Sequence, residues 1–211
     1  IRDSMIGIGG DAFWMIHDAK SNTLSALNGS GTCGKDINLD TYRGMDAIPN
    51  RGPQSAITVP GAIDSWALAH ERFGTMPLTR LLAPAIRYAS EGVAVTQDIS
   101  RWITDDTEDF RKDPGSAGIF LKNGNAYQPG ERLQQPALAK TLENIAQHGP
   151  RYFYEETAKS IVSYLKSQGG LLTVEDFQNY HAKWVKPIST NYRGFQAFQV
   201  PPPSQGIAGL M

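Results

Sequence analysis

The chain has 211 residues, of which 40% are hydrophobic, and its 20 Lys and Arg residues nearly balance 21 Asp and Glu residues. This size suits one or two domains, and the apolar content suffices for a buried core. The net charge of −1 and the absence of an apolar run near the roughly 20 residues of a membrane span argue against nucleic-acid or membrane partners.

The first predicted element is a β-hairpin that follows a glycine-rich turn at residues 7–11. Residues 12–17 are apolar and aromatic, which predicts a buried strand. The segment 23–27 alternates polar and apolar residues and predicts the returning strand, after a turn at 18–22. Residues 28–60 are rich in Gly, Asp, Asn and Pro and predict a loop.

Helices are predicted next, from apolar periodicity and terminal signals. They cover residues 62–73, 78–90, 97–112, 136–148 and 155–167, and Thr173 followed by Asp176 has the form of a capping box. Strands are predicted at 184–192, interrupted by Pro187, and at 195–200. This order of hairpin, helices and strands predicts a segregated α+β fold.

The two ends of the chain also carry a prediction. The first residue is Ile1 rather than Met, with no signal-peptide pattern after it, and residues 206–211 predict the first turns of an apolar helix without a stop signal. We therefore expect the chain to be interrupted at both ends.

Residues 7–12, Gly-Ile-Gly-Gly-Asp-Ala, match the G-x-G-x-x-[GA] pattern of dinucleotide sites. A phosphate-binding loop must open a helix, whose N-terminus holds the pyrophosphate. Here the loop opens a strand, so we interpret it as a tight turn that needs glycine, and we expect no cofactor.

Histidine and cysteine give no metal or nucleophile pattern. The four histidines and Cys33 lack metal-ligand spacing, so no metal site is predicted. A lone cysteine without activating neighbours is more often inert than catalytic. One thiol cannot form an internal disulfide, which favours a cytoplasmic over a periplasmic location.

The most informative polar segment follows the predicted hairpin: Asn28, Gly29, Ser30 and Gly31. It offers an amide, a hydroxyl and backbone donors that can surround a small anion or an amide. It can equally be a polar hairpin exit, and the residue types alone leave both interpretations open.

Seven motifs, in order along nearly the whole chain, resemble those of the large subunit in the gamma-glutamyltransferase family. They are G-x-G-G at 7–10, V-P-G at 59–61, F-G-T-x-P with P-A-I and A-x-x-G within 73–92, G-P-x-x-F-Y at 149–154, G-G-L-x-T-x-x-D at 169–176, Y-R-G at 192–194, and P-P-P-S-x-G at 201–206.

The resemblance implies an α+β fold of the αββα Ntn-hydrolase type, a four-layer sandwich. Residues 1–211 would form a single partial domain of its large subunit. It also implies a precursor that cleaves itself before a threonine, which becomes the N-terminal nucleophile of a small subunit. That threonine is expected downstream of Met211. We therefore expect no catalytic residue in this chain, the small subunit as partner, and no cofactor.

One position departs from the family pattern. In members that cleave glutathione, an arginine after the second hairpin strand binds the glutamyl carboxylate. Alignment of residues 26–29 on that strand places Ser30 at the arginine position, and no Lys or Arg lies between Ser30 and Lys35. This form resembles the branch with oxamate amidohydrolase and cephalosporin acylase-like proteins. It implies cleavage of a small amide, with residues 28–31 binding the substrate.

Two alternatives stay open. The protein is a genuine gamma-glutamyl transferase or glutathione hydrolase if Arg43 or Arg51, in the following loop, supplies the missing charge. It is a non-catalytic ligand-binding relative if the downstream threonine is absent.

Overall fold

The computed structural model describes residues 7–211, which form two compact units. One unit spans Met76–Gly149, and the other combines Gly7–Thr75 with Pro150–Met211. The single partial domain expected for residues 1–211 stays a prediction. Within residues 7–211 no helix has the length and apolar content needed to cross a membrane.

The second unit contains a three-stranded antiparallel sheet in the order β1–β2–β7 and a separate β8–β9 hairpin. Its elements are β1 (Ala12–Asp18), β2 (Thr23–Gly29), α1 (Ala62–Phe73), α7 (Ala158–Ser167), α8 (Val174–Gln178), β7 (Lys183–Val185), β8 (Ile188–Tyr192) and β9 (Phe195–Gln199), with a 3₁₀ helix at Leu39–Tyr42 and another at Gln205–Gly209.

The unit Met76–Gly149 is mainly helical, and helices α2 and α6 pack together through small and aliphatic side chains such as Ala89, Ala139 and Leu142. Its elements are α2 (Leu78–Glu91), β3 (Val93–Ala94), α3 (Gln97–Asp105), α4 (Thr107–Lys112), α5 (Pro114–Phe120), β4 (Leu121–Lys122), β5 (Asn125–Ala126), β6 (Arg132–Leu133) and α6 (Pro136–His148).

Helix α1 covers one face of the three-stranded sheet. Leu27 is fully buried there with Ala69 and Ala182, and Trp14 and Trp184 pack against this cluster. The sheet and α1 thus supply one β layer and one α layer of the predicted sandwich.

Several predicted elements are confirmed. The helices at 62–73 and 136–148 have the predicted bounds, and the helix at 78–90 is one residue longer. Thr173 and Asp176 form the predicted capping box, in which each side chain binds the backbone N–H of the other residue. These signals lie within one or two helical turns, so sequence alone reveals them.

The predicted helix at 97–112 is wrong as a single element, because it divides at Asp106 into α3 and α4. The hydroxyls of Thr104 and Thr107 each bond to a carbonyl four residues earlier, both at 2.8 Å. Such back-bonding bends helices. Helix α5 was not predicted, and the helix predicted at 155–167 starts as a π turn over Phe153–Thr157.

Three further predictions need correction. Strand β1 is only half-buried, since Phe13 and Met15 are 41% and 37% exposed on the face away from α1. Asn28 and Gly29 belong to strand β2 rather than to the loop. The predicted apolar helix at 206–211 is a 3₁₀ turn at Gln205–Gly209.

Candidate functional site

The glycine-rich turn places its carbonyl at the N-terminus of helix α1. Gly10 donates its N–H to Gly7 O at 3.3 Å, and Gly10 O accepts from Gly61 N and Ala62 N at 3.0 and 2.9 Å. These are two of the helix donors that need an external partner. The turn then enters β1, so it serves as a cap for α1 and not as a phosphate loop.

The segment of residues 28–31 lies at the end of β2 and is held by three hydrogen bonds to its backbone. Ser30 N donates to Asn28 Oδ1, and Gly31 N donates to Asp11 Oδ1, both at 2.8 Å. Ser30 O accepts from the Tyr180 hydroxyl, also at 2.8 Å. The backbone of this segment therefore has a defined conformation.

The two glycines of the segment pack against the chain itself. A Cβ at Gly29 would lie 2.5 Å from Ser65 Cβ and 2.8 Å from Ala12 O, and a Cβ at Gly31 would meet Val59 O and Thr58. Packing within the chain therefore accounts for the missing side chain at both positions. Glycine is required at position 29 because β1 and α1 approach too closely for a side chain, and at position 31 because Thr58 and Val59 do.

Two polar groups of the segment remain available. Asn28 Nδ2 and Ser30 Oγ make no hydrogen bond to any residue of the described range 7–211, and both residues are half-buried. Gly29 and Gly31 contribute only backbone. Ligand binding by these four residues stays a prediction, and it depends on Asn28 and Ser30.

A buried carboxylate, that of Asp64, links the elements that surround the 28–31 segment. Asp64, in the first turn of α1, is 5% exposed. Its Oδ2 accepts from Ala182 N at 2.7 Å, and its Oδ1 lies 3.4 Å from Arg151 Nη1. Because a buried charge without partners is costly, this contact fixes α1 to the chain that leads into β7.

Arg151 and two tyrosines continue this network. Arg151 donates to Tyr180 O at 3.0 Å and to Gln178 O at 2.8 Å. The ring of Tyr154 stacks on Tyr180, and its hydroxyl donates to Pro60 O at 2.8 Å. These contacts position the ring of Tyr180, whose hydroxyl donates to Ser30 O.

Tyr180 is a neutral donor at all ordinary pH values. Burial, together with the negative charges of Asp64 and Asp11, raises the pKa of its hydroxyl to about 12. The pKa of Tyr154 is raised even more, mainly by burial. Both hydroxyls thus stay protonated and can donate.

Sequence reasoning missed Asp64, Ser65, Arg151, Tyr154 and Tyr180. A signal was available for the first two, since they interrupt the apolar face of the predicted helix at 62–73. Ser65 accepts from Trp14 Nε1 at 2.9 Å and donates to Ala62 O at 2.6 Å. The other three act through contacts between distant parts of the chain.

The remaining candidates lie apart from this network. Cys33 is exposed and its backbone bridges to Thr58. Arg43 pairs with Asp40 on an exposed surface. Lys35 pairs with Glu175, and its N–H donates to Asp176. Within residues 7–211 no group of His, Cys, Asp and Glu is arranged to hold a metal ion.

Comparison with known proteins identifies the family. Residues 1–211 match the family described as gamma-glutamyltranspeptidase. Over 208 residues the chain is 41% identical to the glutathione hydrolase-like YwrD proenzyme of Bacillus subtilis, covering 98% of this chain and 40% of that protein. It is 36% identical over 212 residues to the oxamate amidohydrolase proenzyme of Klebsiella pneumoniae, again covering 98% and 40%.

Comparison with solved structures indicates the same family. The crystal structure of Helicobacter pylori gamma-glutamyltranspeptidase matches with a TM-score of 0.91 at 30% identity, over 96% of this chain and 60% of that one. This confirms the predicted α+β fold and the resemblance from which it was inferred. The chain spans about two fifths of the length of the two curated relatives. It belongs to the gamma-glutamyltranspeptidase family.

Proposed function

We propose that the full-length protein is an autoprocessing amidohydrolase or acyltransferase that cleaves a small amide, either oxamate-like or an acyl-amine. Its nucleophile would be the N-terminal threonine of a small subunit that lies outside this chain. The curated relatives with 41% and 36% identity are both named proenzymes, which supports self-cleavage. A cytoplasmic location is part of the same proposal.

The observation that carries the proposal is the chemistry at the end of β2. Ser30 stands where the resemblance expects an arginine, and it offers a hydroxyl without a fixed partner in residues 7–211. Asn28 adds a neutral amide donor beside it. Lys35, the next cation along the chain, is paired with Glu175. Without a guanidinium clamp, the segment suits a small acyl group better than a glutamyl group.

The substrate test is kinetic and uses the full-length processed enzyme. Oxamate and a glutaryl anilide are compared with gamma-glutamyl anilide and glutathione. We expect the highest kcat/KM for one of the first two. Efficient turnover of glutathione would overturn the substrate assignment.

Ser30 variants test the same proposal at one position. Ser30→Ala removes one neutral donor, so we expect kcat/KM to fall by about 1–2 kcal/mol in transition-state stabilisation. Ser30→Arg should weaken the native activity and introduce some gamma-glutamyl binding. Precursor cleavage is the control for folding. If both variants match the parent on every substrate, residues 28–31 are only a structural hairpin exit.

Tyr180→Phe tests the hydrogen bond that holds the backbone carbonyl of Ser30. Within residues 7–211 the Tyr180 hydroxyl makes one hydrogen bond, which it donates to Ser30 O. Its loss therefore frees that carbonyl, while the ring keeps its stacking on Tyr154. We expect KM to rise by an amount equivalent to about 1–2 kcal/mol, with a smaller effect on kcat. Tyr88→Phe, at an exposed position on α2, should leave both parameters unchanged. An unchanged KM in Tyr180→Phe would show that the hydroxyl only stabilises the fold.

A second candidate is glutathione hydrolysis, which the name of the Bacillus subtilis relative favours. It requires a cation from elsewhere, and Arg43 and Arg51 are the nearest along the chain after Lys35. Arg43 would first have to leave Asp40. Loss of gamma-glutamyl turnover in Arg43→Ala or Arg51→Ala would establish this candidate over the small-amide assignment.

A further inference from the structure

The sheet register places a lysine beside the 28–31 segment. Asn28 lies opposite Phe13 on β1 and opposite Lys183 on β7. Side chains that are directly opposed in an antiparallel pair share one face, with Cβ atoms about 4.5–5.5 Å apart. Phe13, Asn28 and Lys183 therefore form a row across the three strands.

This row lies on the face away from helix α1. The preceding row, Trp14, Leu27 and Trp184, packs with Ala69 beneath α1. Because successive residues of a strand point to opposite faces, the row with Lys183 faces the other way. Phe13 is 41% exposed on that face within the described unit. In the predicted sandwich this face points toward the second β layer.

No ion pair neutralises the charge of Lys183 within the described unit. Lys183 is exposed and makes no ion pair with any of residues 7–211. Lys35, Lys122 and Lys159, in contrast, each pair with a glutamate. Among residues 7–211, Lys183 is thus an unpaired cation. The strand register places it opposite Asn28, although 155 positions separate the two in the chain.

An anionic ligand would need such a cation. The carboxylate of Asp11 already lies at the segment, where it accepts from Gly31 N, and it would repel a second carboxylate. The two neutral donors of Asn28 and Ser30 carry no charge to offset it. An ammonium group interacts with a carboxylate through charge-assisted hydrogen bonds, which are about twice as strong as neutral ones.

We infer that Lys183 binds a carboxylate at the far end of the acyl group, with Asn28 Nδ2 and Ser30 Oγ as neutral donors and Phe13 against the carbon chain. The inference rests on the proposed function and narrows its substrate class to monoamides of short dicarboxylic acids. A lysine has a flexible stem and a compact charge, so it accommodates acids of different length better than a guanidinium fork.

The kinetic test removes the charge from Lys183 in the full-length processed protein. Glutaryl anilide carries the terminal carboxylate, and valeryl anilide replaces it with a methyl group. In Lys183→Met we expect KM for glutaryl anilide to rise about tenfold or more, with KM for valeryl anilide unchanged. Lys183→Arg should restore part of the loss. Equal effects on both substrates, or no effect, would overturn the inference.

Lys186→Met is the matched control, because Lys186 is also exposed but lies beyond the end of β7. It should leave both KM values unchanged. Wild-type protein that cleaves valeryl anilide as efficiently as glutaryl anilide would also contradict a role for the carboxylate.

A binding measurement separates this inference from the proposed function. Glutarate is titrated calorimetrically into wild-type, Lys183→Met and Lys186→Met proteins. We expect binding to wild type and Lys186→Met and about tenfold weaker binding to Lys183→Met. If the enzyme prefers glutathione, the proposed function fails, yet loss of glutarate binding in Lys183→Met still supports the carboxylate site. No binding to wild type, or equal binding to all three proteins, overturns it.

Discussion

Replacing Asp64 by alanine is expected to destabilise the unit that carries the candidate site by about 3 kcal/mol. Loss of one partner from a buried ion pair typically costs about 3–5 kcal/mol, because the other partner is left uncompensated. Here the lower end applies, since the Arg151 side chain is 35% exposed and keeps its two carbonyl acceptors. The buried N–H of Ala182 would also lose its acceptor.

The measurement is urea unfolding of the full-length protein, followed by tryptophan fluorescence, to which Trp14 and Trp184 of this unit contribute. Asp64→Asn keeps an acceptor oxygen but no charge, so it should fall between the parent and Asp64→Ala. Asp98→Ala, which breaks an exposed pair with Arg101, should change stability by less than about 1 kcal/mol. If Asp64→Ala unfolds at the same urea concentration as the parent, the buried network does not hold α1 in place.

Gly61→Ala is expected to have a comparably large effect, about 3 kcal/mol, by overpacking. A Cβ at this position would collide with the carbonyl oxygen of Gly29 and with the Tyr180 hydroxyl. The carbonyl belongs to the end of β2 and cannot rotate away as a side chain can. The substitution should therefore displace Ser30 as well, and raise KM for the preferred substrate.

Gly118→Ala provides a matched control, since the added methyl group would meet nothing within 4 Å. Gly118 lies inside helix α5, where alanine is favoured by about 0.5–1 kcal/mol, so this variant should be slightly more stable than the parent. Combining Gly61→Ala with Tyr180→Phe removes one of the two collisions and should recover part of the stability. A Gly61→Ala protein as stable as Gly118→Ala would contradict the close approach of α1 and β2.

The amino-acid sequence by itself determined the elements whose signals are local. Helix α1 has its predicted bounds because Pro60 and Gly61 precede an apolar periodic segment and Gly74 follows it. The capping box at Thr173 needs only four residues, and the hairpin needs only its own alternation. The family motifs are likewise short and contiguous, so they identified the family and the unusual Ser30 without a structure.

Only the tertiary structure decided what surrounds Ser30. Asn28 meets Lys183 through strand register, and Asp64 meets Arg151 and Ala182 through helix packing. Such contacts join residues about 90 to 150 positions apart, and no turn joins β2 to β7 to set their register, which depends on the faces that the fold buries. The same holds for Gly29, whose neighbours Ser65 and Ala12 come from other elements. The sequence thus located the segment of residues 28–31. Long-range packing determined its conformation and placed the charge of Lys183 beside it.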